Sequence, residues 1–253
     1  MVFAMLCTPV FGQTTAKEWF DKGNVSFHQG KYFEAAQAFD KSLELNTSDA
    51  TTWGYKGASL LGMGNFNESL QAFDKSLELN SSDAYVWGGK AAALASMGKL
   101  NESIQAVDRV IEINPKRVDA WNLKGSLLDH QGKYNDSIKA FDKAIQLNPN
   151  YTQAYYNKGN ALRILGKYNE SIDAYNEAIR LAPKSVVAWN GKGLALKDQG
   201  KYDESIQAFD QAITIDPKFG LYWSNKGDAL NKLGRTAEAN AAYDKAKELG
   251  YTG

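Results

Sequence analysis

The most constraining feature of this sequence is a motif that recurs every 34 residues. With Ala16 as repeat position 1, the period divides the rest of the chain into seven units without an insertion. The units are residues 16–49, 50–83, 84–117, 118–151, 152–185, 186–219 and 220–253. A fixed period of this length predicts an array in which each unit buries its apolar face on its neighbours. The sequence therefore predicts one array over residues 16–253, preceded by a separate segment of 15 residues.

Four repeat positions indicate how one unit folds. Position 4 is Trp in six units, position 8 is Gly in six, position 15 is Gly in all seven, and position 32 is Pro in four. Positions 4, 8 and 11 share one helical face, which predicts an amphipathic helix A over positions 1–14. Gly at position 15 is expected to end that helix in the left-handed conformation. The expected N-caps of the following helix B are the residues at position 18: Asn67, Asn101, Asn135, Asn169 and Asp203.

This pattern resembles the tetratricopeptide repeat family. Trp at position 4, Gly at 8 and 15, Tyr at 17, Phe at 24, Ala at 27 and Pro at 32 all match the signature of that family. The resemblance covers residues 16–253 and implies an all-α fold, with 14 antiparallel helices in a right-handed α-α superhelix and no strands. It also implies that the A helices line a concave groove.

The two ends of the array are polar where the inner repeats are apolar. Position 3 is Glu18 in the first repeat, and Thr15 with Glu18 also forms a capping-box sequence. In the last repeat, position 21 is Asn240 and position 28 is Lys247, whereas the other six repeats carry apolar residues at both positions. We therefore expect both ends to be solvated caps, and the array to be complete without a catalytic domain after it.

Composition and motifs argue against several function classes. Lys and Arg balance Asp and Glu at 29 each, so the clustered positive charge that nucleic-acid binding needs is missing. One Cys and two His are too few for most metal sites, and His28 and His130 lie three repeats apart. No nucleophile–base set or phosphate-binding glycine loop can be assembled. The sequence predicts a protein that is not an enzyme and has no cofactor, no metal and no nucleic-acid partner.

A charge pattern runs through the array and has two interpretations. Position 7 is Lys in every unit, although the family usually has Leu there, and position 25 is Asp in six units. In the first interpretation the lysine stems pack between helices and their ammonium groups pair with Asp, which makes a structural ladder. In the second the lysines bind an anionic ligand. The structural ladder is the preferred interpretation.

The family resemblance also indicates where a ligand would bind. In that family, positions 2, 5, 9, 12 and 13 of helix A form the ligand face; here the face is small and apolar in repeats 2 and 3 and polar in repeats 4 to 7. The groove candidates are Asn122, Ser126, Asp129, Tyr156, Asn160, Arg163, Asn190 and Lys197. No repeat has Lys at position 5, which argues against the chaperone peptides that carboxylate-clamp members bind. Asn122, Asn160 and Asn190 are expected to hold an extended peptide by its backbone amides.

The predicted function is a non-enzymatic protein–protein interaction scaffold that binds an extended peptide or protein segment in the concave groove. Two alternatives remain open. One is a structural spacer or assembly subunit whose repeats stack end to end, and the other is an accessory module for a partner enzyme acting in trans. In each case the expected partner is a protein or a peptide.

The segment before the array predicts a location. Residues 1–11 are apolar and uncharged, and charges begin at Lys17. This is typical of the end of a secretion signal, although the basic stretch that opens such signals is missing. No apolar run approaches the roughly 20 residues of a spanning helix, so no membrane contact is expected beyond an N-terminal anchor. The sequence favours an exported or cell-surface protein, with a meaningless N-terminus and a cytoplasmic protein as the alternatives.

Glycosylation sequons supply a second indication of export. Eight asparagines lie in N-x-[ST] triplets, and four of these occupy position 18, where helix capping also explains them. Asn46, Asn80 and Asn150 instead lie in predicted turns between repeats, where a glycan has room. They are the predicted acceptors. The competing interpretation is that all these triplets are caps and turns only.

Overall fold

The computed structural model of the protein describes residues 14–252. Within that range the chain forms fourteen α-helices and no strand, which confirms the predicted all-α fold and helix number. No helix in this range is both long and apolar enough to cross a membrane. The helices are α1 (Ala16–His28), α2 (Tyr32–Leu45), α3 (Ala50–Gly62), α4 (Phe66–Leu79), α5 (Ala84–Ser96), α6 (Leu100–Ile113), α7 (Val118–His130), α8 (Tyr134–Leu147), α9 (Thr152–Ile164), α10 (Tyr168–Leu181), α11 (Val186–Asp198), α12 (Tyr202–Ile215), α13 (Gly220–Lys232) and α14 (Thr236–Glu248).

The described residues form two compact units, one ending at Pro115 and one beginning at Lys116. Unit 1 holds the first three repeats, α1–α6, and unit 2 holds the last four, α7–α14. Odd-numbered helices are the A helices and even-numbered helices the B helices. Within each unit the two helices of a repeat pack as a hairpin, and each B helix packs on the next A helix. Successive A helices within a unit also contact each other, more than successive B helices do, so the A helices form the inner side of each stack.

Each A helix ends in a Schellman motif, as the glycines at position 15 predict. In the first repeat the N–H of Gly30 donates to the carbonyl of Phe27 at 2.9 Å, and the N–H of Lys31 donates to the carbonyl of Ser26 at 3.0 Å. Gly30 has a φ of 73°, and the equivalent glycines of the other repeats are left-handed too. Only glycine adopts this φ without strain, so the position-15 glycines set the turn between helices A and B.

The predicted N-caps of the B helices are wrong. The α4 helix begins at Phe66 with Asn65 as its N-cap, so Asn67 lies inside the first turn, and the other position-18 residues lie in the same register. The Schellman turn leaves no room for a separate cap. The N–H of Asn65 closes the preceding turn by donating to Leu60, and its carbonyl already accepts from Ser69, both at 2.9 Å. One residue therefore ends helix A and starts helix B.

Within a repeat, the glycine at position 8 makes room for the ring at position 24. A Cβ on Gly23 would lie 2.7 Å from Cε1 of Phe39, and six repeats pair a position-8 glycine with an aromatic ring in this way. The third repeat instead pairs Ala91 with Val107, and both of these side chains are buried. A larger residue at position 8 thus occurs with a smaller one at position 24, which keeps the packed volume similar.

Buried serines at position 20 tie helix B to helix A. Ser69, Ser103, Ser171 and Ser205 each donate through Oγ to the carbonyl at position 8 of the same repeat, at 2.8 Å. The four side chains are fully buried. A buried hydroxyl is costly without a partner, and here every one of the four has a backbone acceptor. In these four repeats the serine hydroxyl therefore has a structural role.

The polar ends of the array are solvated in the structure. The N–H of Glu18 donates to Oγ1 of Thr15 at 3.2 Å, and Oε2 of Glu18 accepts from the N–H of Thr15 at 2.7 Å. This is the predicted capping box. At the other end, Asn240 and Lys247 are both exposed, whereas the matching Ile206 and Ile213 are buried under the last repeat.

Candidate functional site

The position-7 lysines form ion pairs across repeat boundaries. Nζ of Lys56 lies 2.6 Å from Oδ1 of Asp40 in the preceding repeat, and Nζ also lies 4.9 Å from the ring centroid of Trp53. About a quarter of each paired lysine side chain is exposed, against about half of each aspartate. The contacts support the structural-ladder interpretation. The same pair occurs at the same distance at Lys90–Asp74, Lys158–Asp142 and Lys226–Asp210.

The tryptophans at position 4 hold successive repeats together. Nε1 of Trp53 donates to the carbonyl of Thr47 at 2.9 Å, and Nε1 of Trp189 donates to the carbonyl of Pro183 at 3.0 Å. Both acceptors lie at position 32 of the preceding repeat. The indole N–H groups therefore link neighbouring repeats, as the fixed repeat position of the tryptophans predicts.

The eight predicted groove residues all lie on A helices of unit 2, and all are partly buried. They belong to the polar face, by which we mean positions 5, 6, 9, 12 and 13 of α7, α9, α11 and α13. Because the A helices form the inner side of the stack, this face is the inner surface of unit 2. The predicted residues are Asn122, Ser126 and Asp129 on α7, Tyr156, Asn160 and Arg163 on α9, and Asn190 and Lys197 on α11.

Two asparagines that sequence reasoning missed orient the predicted ones. Nδ2 of Asn157 donates to Oδ1 of Asn122 at 3.1 Å and, more weakly, to Oγ of Ser126 at 3.4 Å. Two repeats later, Nδ2 of Asn225 donates to Oδ1 of Asn190 at 2.9 Å. The signal was present in the sequence, since each Asn at position 5 is followed one repeat later by an Asn at position 6. Position 6 is not among the family's ligand positions, so the family resemblance does not point to these two asparagines.

Asn160 helps to hold the fold together and also lies on the polar face. The hydroxyl of Tyr175, a buried residue, donates to Oδ1 of Asn160 at 2.6 Å. Burial raises the pKa of Tyr175 well above its usual range. Tyr243 makes the equivalent bond to Oδ1 of Asp228 at 3.1 Å. The two repeats with Tyr at position 24 are thus those in which position 9 supplies this hydrogen-bond acceptor.

Two ion pairs cross the polar face from one repeat to the next. A guanidinium nitrogen of Arg163 lies 2.6 Å from Oδ2 of Asp198, and Nζ of Lys197 lies 2.8 Å from Oδ2 of Asp228. Both cations occupy position 12 and pair with the following repeat. The ring of Tyr156 lies 6.1 Å from that of Tyr175. The charges of Arg163 and Lys197 are therefore already compensated within the protein.

Asp129 differs from the other two charged residues at position 12, Arg163 and Lys197. Its Oδ1 is buried and has no hydrogen-bond donor within residues 14–252. Burial raises the pKa of the Asp129 carboxyl above its usual range, and the neighbouring His130 partly opposes this shift. The side chain borders a hollow of about 210 Å³ that Ser126, Asn157 and Asn160 also line.

Unit 1 has an apolar hollow on its A-helix side. It measures about 600 Å³, and Phe27, Tyr55, Ala58 and Val86 contribute to its lining. Its character agrees with the small, apolar face predicted for repeats 2 and 3. A Cβ on Gly54 would lie 3.0 Å from Cγ2 of Val86, so packing of the next helix accounts for this glycine.

Metal-ligating side chains are not clustered in residues 14–252, where no group of three His, Cys, Asp or Glu side chains could hold a metal ion. His28 lies in unit 1 and His130 in unit 2. His130 lines the hollow beside Asp129, but the two side chains share no hydrogen bond in this part of the chain.

The three predicted glycosylation sites are exposed. Asn46 and Asn80 are the C-cap residues of α2 and α4, and Oδ1 of each accepts from the backbone N–H two residues later at 3.2 Å. Asn150 lies in the turn before α9. The predicted secretion signal falls mostly on residues 1–13, outside the described residues.

Comparison with known protein families identifies the repeat. Five family profiles, each described as a tetratricopeptide repeat, match residues 16–49, 60–127, 122–186, 186–219 and 221–249. The chain belongs to the tetratricopeptide repeat family. A comparison with curated proteins finds no match. Tetratricopeptide repeat proteins are generally non-enzymatic, and this fold is that of a protein–protein interaction scaffold.

Solved structures share this tetratricopeptide repeat fold. MamA is 27% identical with a TM-score of 0.60, and the match covers 63% of this chain and 94% of MamA. A tetratricopeptide repeat protein from Parabacteroides merdae is 17% identical with a TM-score of 0.73, and 95% of each chain is covered. YrrB, described as having an unusual peptide-binding site, is 23% identical with a TM-score of 0.62, covering 74% of this chain and 97% of YrrB.

Proposed function

We propose that this protein is a non-enzymatic scaffold that binds an extended peptide or protein segment on the polar face of unit 2. The observation that carries the proposal is the pair of oriented carboxamides at Asn122 and Asn190. Each is held by a hydrogen bond to its Oδ1 from an asparagine of the next repeat. The Nδ2 group of each makes no hydrogen bond to another residue of the described range 14–252, so it is available to a ligand.

Such carboxamides suit a ligand that is recognised through its backbone. An Nδ2 group donates two hydrogen bonds, and the carbonyls of an extended chain are acceptors that every peptide carries. Holding the side chains in place before binding reduces the entropy that the complex would otherwise lose. A related fold, that of YrrB, has a peptide-binding site, which supports a peptide as the ligand class.

Some of the predicted groove residues cannot be replaced without disturbing the fold. Replacing Asn160 would leave the Tyr175 hydroxyl buried without an acceptor, and replacing Arg163 would leave Asp198 without its partner. Both changes would disturb the fold along with the surface. Asn122→Ala with Asn190→Ala removes the two carboxamides that carry the proposal. Asn135→Ala with Gln207→Ala is the matched control, since both residues are exposed on B helices of the same unit.

The test is selection of peptides from a random display library on the full chain. The wild type and the control pair should enrich a common set of peptides, and the Asn122→Ala, Asn190→Ala pair should bind the same peptides at least tenfold more weakly. A wild type that enriches no peptide would contradict the proposal and favour the structural spacer. Equal binding by both double variants would place the binding surface elsewhere.

We also propose that the protein is exported and glycosylated at one or more of Asn46, Asn80 and Asn150. The support is the apolar start of the sequence together with the exposure of all three side chains. A glycan on an exposed turn need not displace any packed residue. The test is the intact mass of the protein from its native host. An unmodified mass that still includes residues 1–12 would contradict both parts of this proposal.

A further inference from the structure

We propose that the hollow at Asp129 receives a basic side chain of the bound segment, so that the ligand carries Lys or Arg at one fixed position. This inference rests on the proposed function, because it concerns the same polar face. Beyond the proposed function, the inference specifies the chemical class of one ligand residue and names Asp129 as the protein residue that recognises it.

The first argument is the pattern of charge at position 12. Arg163 and Lys197 each pair with a carboxylate of the following repeat, at 2.6 and 2.8 Å. Asp129 occupies the same position on α7 but has the opposite charge. The following repeat offers it Asn160 at position 9 and Ile164 at position 13, neither of which is a cation. The row of ion pairs between successive repeats is therefore interrupted at Asp129, because the following repeat has no cation at either position.

The second argument is the state of the carboxylate itself. Oδ1 of Asp129 is buried and has no hydrogen-bond donor among residues 14–252, while the side chain as a whole is partly exposed at the hollow. A partly desolvated carboxylate without a partner is costly, and a charge-assisted hydrogen bond from a cation would offset that cost. A raised pKa of the Asp129 carboxyl, caused by burial, agrees with this geometry.

The lining of the hollow favours an organic cation. Ser126, Asn157 and Asn160 contribute neutral hydroxyl and amide groups, Phe141 contributes an aromatic ring, and the exposed His130 contributes an imidazole at the edge of Asp129. Oxygens accept hydrogen bonds from ammonium or guanidinium groups, and aromatic rings attract cations. One carboxylate and one imidazole are too few ligands for a metal site, and no three-ligand group exists within residues 14–252. A Lys or Arg side chain satisfies these groups with a single charge.

The experiment uses the same random peptide library on three full-length proteins: the wild type, Asp129→Asn and Asp173→Asn. Asn has nearly the shape of Asp without its charge, and Asp173 is an exposed carboxylate on a B helix of unit 2. We expect peptides selected on the wild type and on Asp173→Asn to share a Lys or Arg at one position. Peptides selected on Asp129→Asn should keep the other shared positions and lose this one.

A synthetic peptide from the wild-type selection measures how much the basic residue contributes to binding affinity. Replacing its basic residue with Gln should weaken binding to the wild type by about tenfold or more and should change binding to Asp129→Asn little. Without a ligand, Asp129→Asn should unfold at or above the wild-type midpoint, because it removes an unpaired, partly buried charge. A lower midpoint would indicate a structural partner for Asp129 and overturn the inference.

The possible failures are distinguishable. Shared peptides without a fixed basic residue, or a fixed basic residue that survives Asp129→Asn, would overturn this inference and leave the proposed function standing. Failure to enrich any peptide on the wild type would overturn the proposed function, and this inference with it.

Discussion

Gly193 stands where any side chain would collide with Phe209, since a Cβ there would lie 2.5 Å from Cε1 of the ring. Both residues are buried, and Phe209 belongs to a cluster with Ile206 and Leu230. Gly193 therefore determines how closely α11 and α12 approach. The relationship repeats through the array and is replaced in one repeat by Ala91 with Val107.

The first prediction concerns this pair. Gly193→Ala should lower the free energy of unfolding by about 1–3 kcal/mol, because the added methyl overpacks the core. Combining it with Phe209→Val recreates the Ala–Val pairing of the third repeat. The double variant should be more stable than the sum of the two single effects by about 1 kcal/mol or more. Urea unfolding of the four proteins measures this coupling.

A glycine in open space is the control. A Cβ on Gly88, which also lies within a helix, would meet no atom within 4 Å apart from its chain neighbours and the backbone of its own helix. Gly88→Ala should therefore raise stability by about 1 kcal/mol through helix propensity alone. If Gly193→Ala and Gly88→Ala changed stability in the same direction, steric contact with Phe209 would not be the cause.

The second prediction concerns the lysine ladder. Asp142→Asn removes the partner of Lys158 and should lower the unfolding free energy by only about 0–1 kcal/mol, because half of the Asp142 side chain is exposed. Asn176 occupies the position-25 site before Lys192, and Asn176→Asp should raise stability by a similar amount. Thermal unfolding at low and high salt tests both, and salt should shrink each effect. Stability changes that are the same at low and high salt would argue against an ion pair.

The third prediction concerns Tyr175. Tyr175→Phe leaves Oδ1 of Asn160 without its donor and should cost about 1 kcal/mol near neutral pH. Burial raises the pKa of Tyr175 in the folded state above the value of about 10 in the unfolded chain. The neutral hydroxyl therefore stabilises the fold below about pH 10, and this stabilisation is lost as the pH rises from there towards the folded-state pKa.

Urea unfolding at increasing alkaline pH measures this effect. The wild type should lose stability more steeply than Tyr175→Phe above about pH 10. Tyr202→Phe is the control, since no hydrogen-bond partner of that hydroxyl lies within residues 14–252. The same alkaline slope in the wild type and Tyr175→Phe would contradict the assignment.

The fourth prediction concerns the C-terminal cap. Deleting residues 220–253 uncovers Ile206 and Ile213, which pack on Leu230 and Tyr222 of the last repeat. The truncated protein should lose solubility. Ile206→Asn with Ile213→Lys transfers the polar residues found at Asn240 and Lys247, and it should restore solubility to the truncated chain. Size-exclusion chromatography follows both, and a truncation that stays monomeric without the transferred residues would contradict the cap.

Features that depend on one repeat, or that recur with the 34-residue period, could be predicted from the sequence. The left-handed turn at Gly30 follows from a single residue type at a fixed repeat position, and the exposure of Lys247 follows from comparing it with six apolar equivalents. The number of helices follows from the period. These features depend on contacts within one repeat, or on contacts that every repeat makes in the same way, so one sequence supplies several copies of the evidence.

The hydrogen bonds and ion pairs of the polar face could not be predicted from the sequence, because they depend on how the A helices stack. The N-cap prediction at Asn67 was wrong because one residue, Asn65, both ends a Schellman turn and starts the next helix. The partners of Asn122 and Asn190 lie 35 residues away in the chain, at a position that the repeat signature leaves free. Which side chains meet there depends on the rotation between neighbouring A helices and on side-chain length. For the same reason the sequence predicted Asp129 on the groove face but could not show that its Oδ1 has no hydrogen-bond donor among residues 14–252.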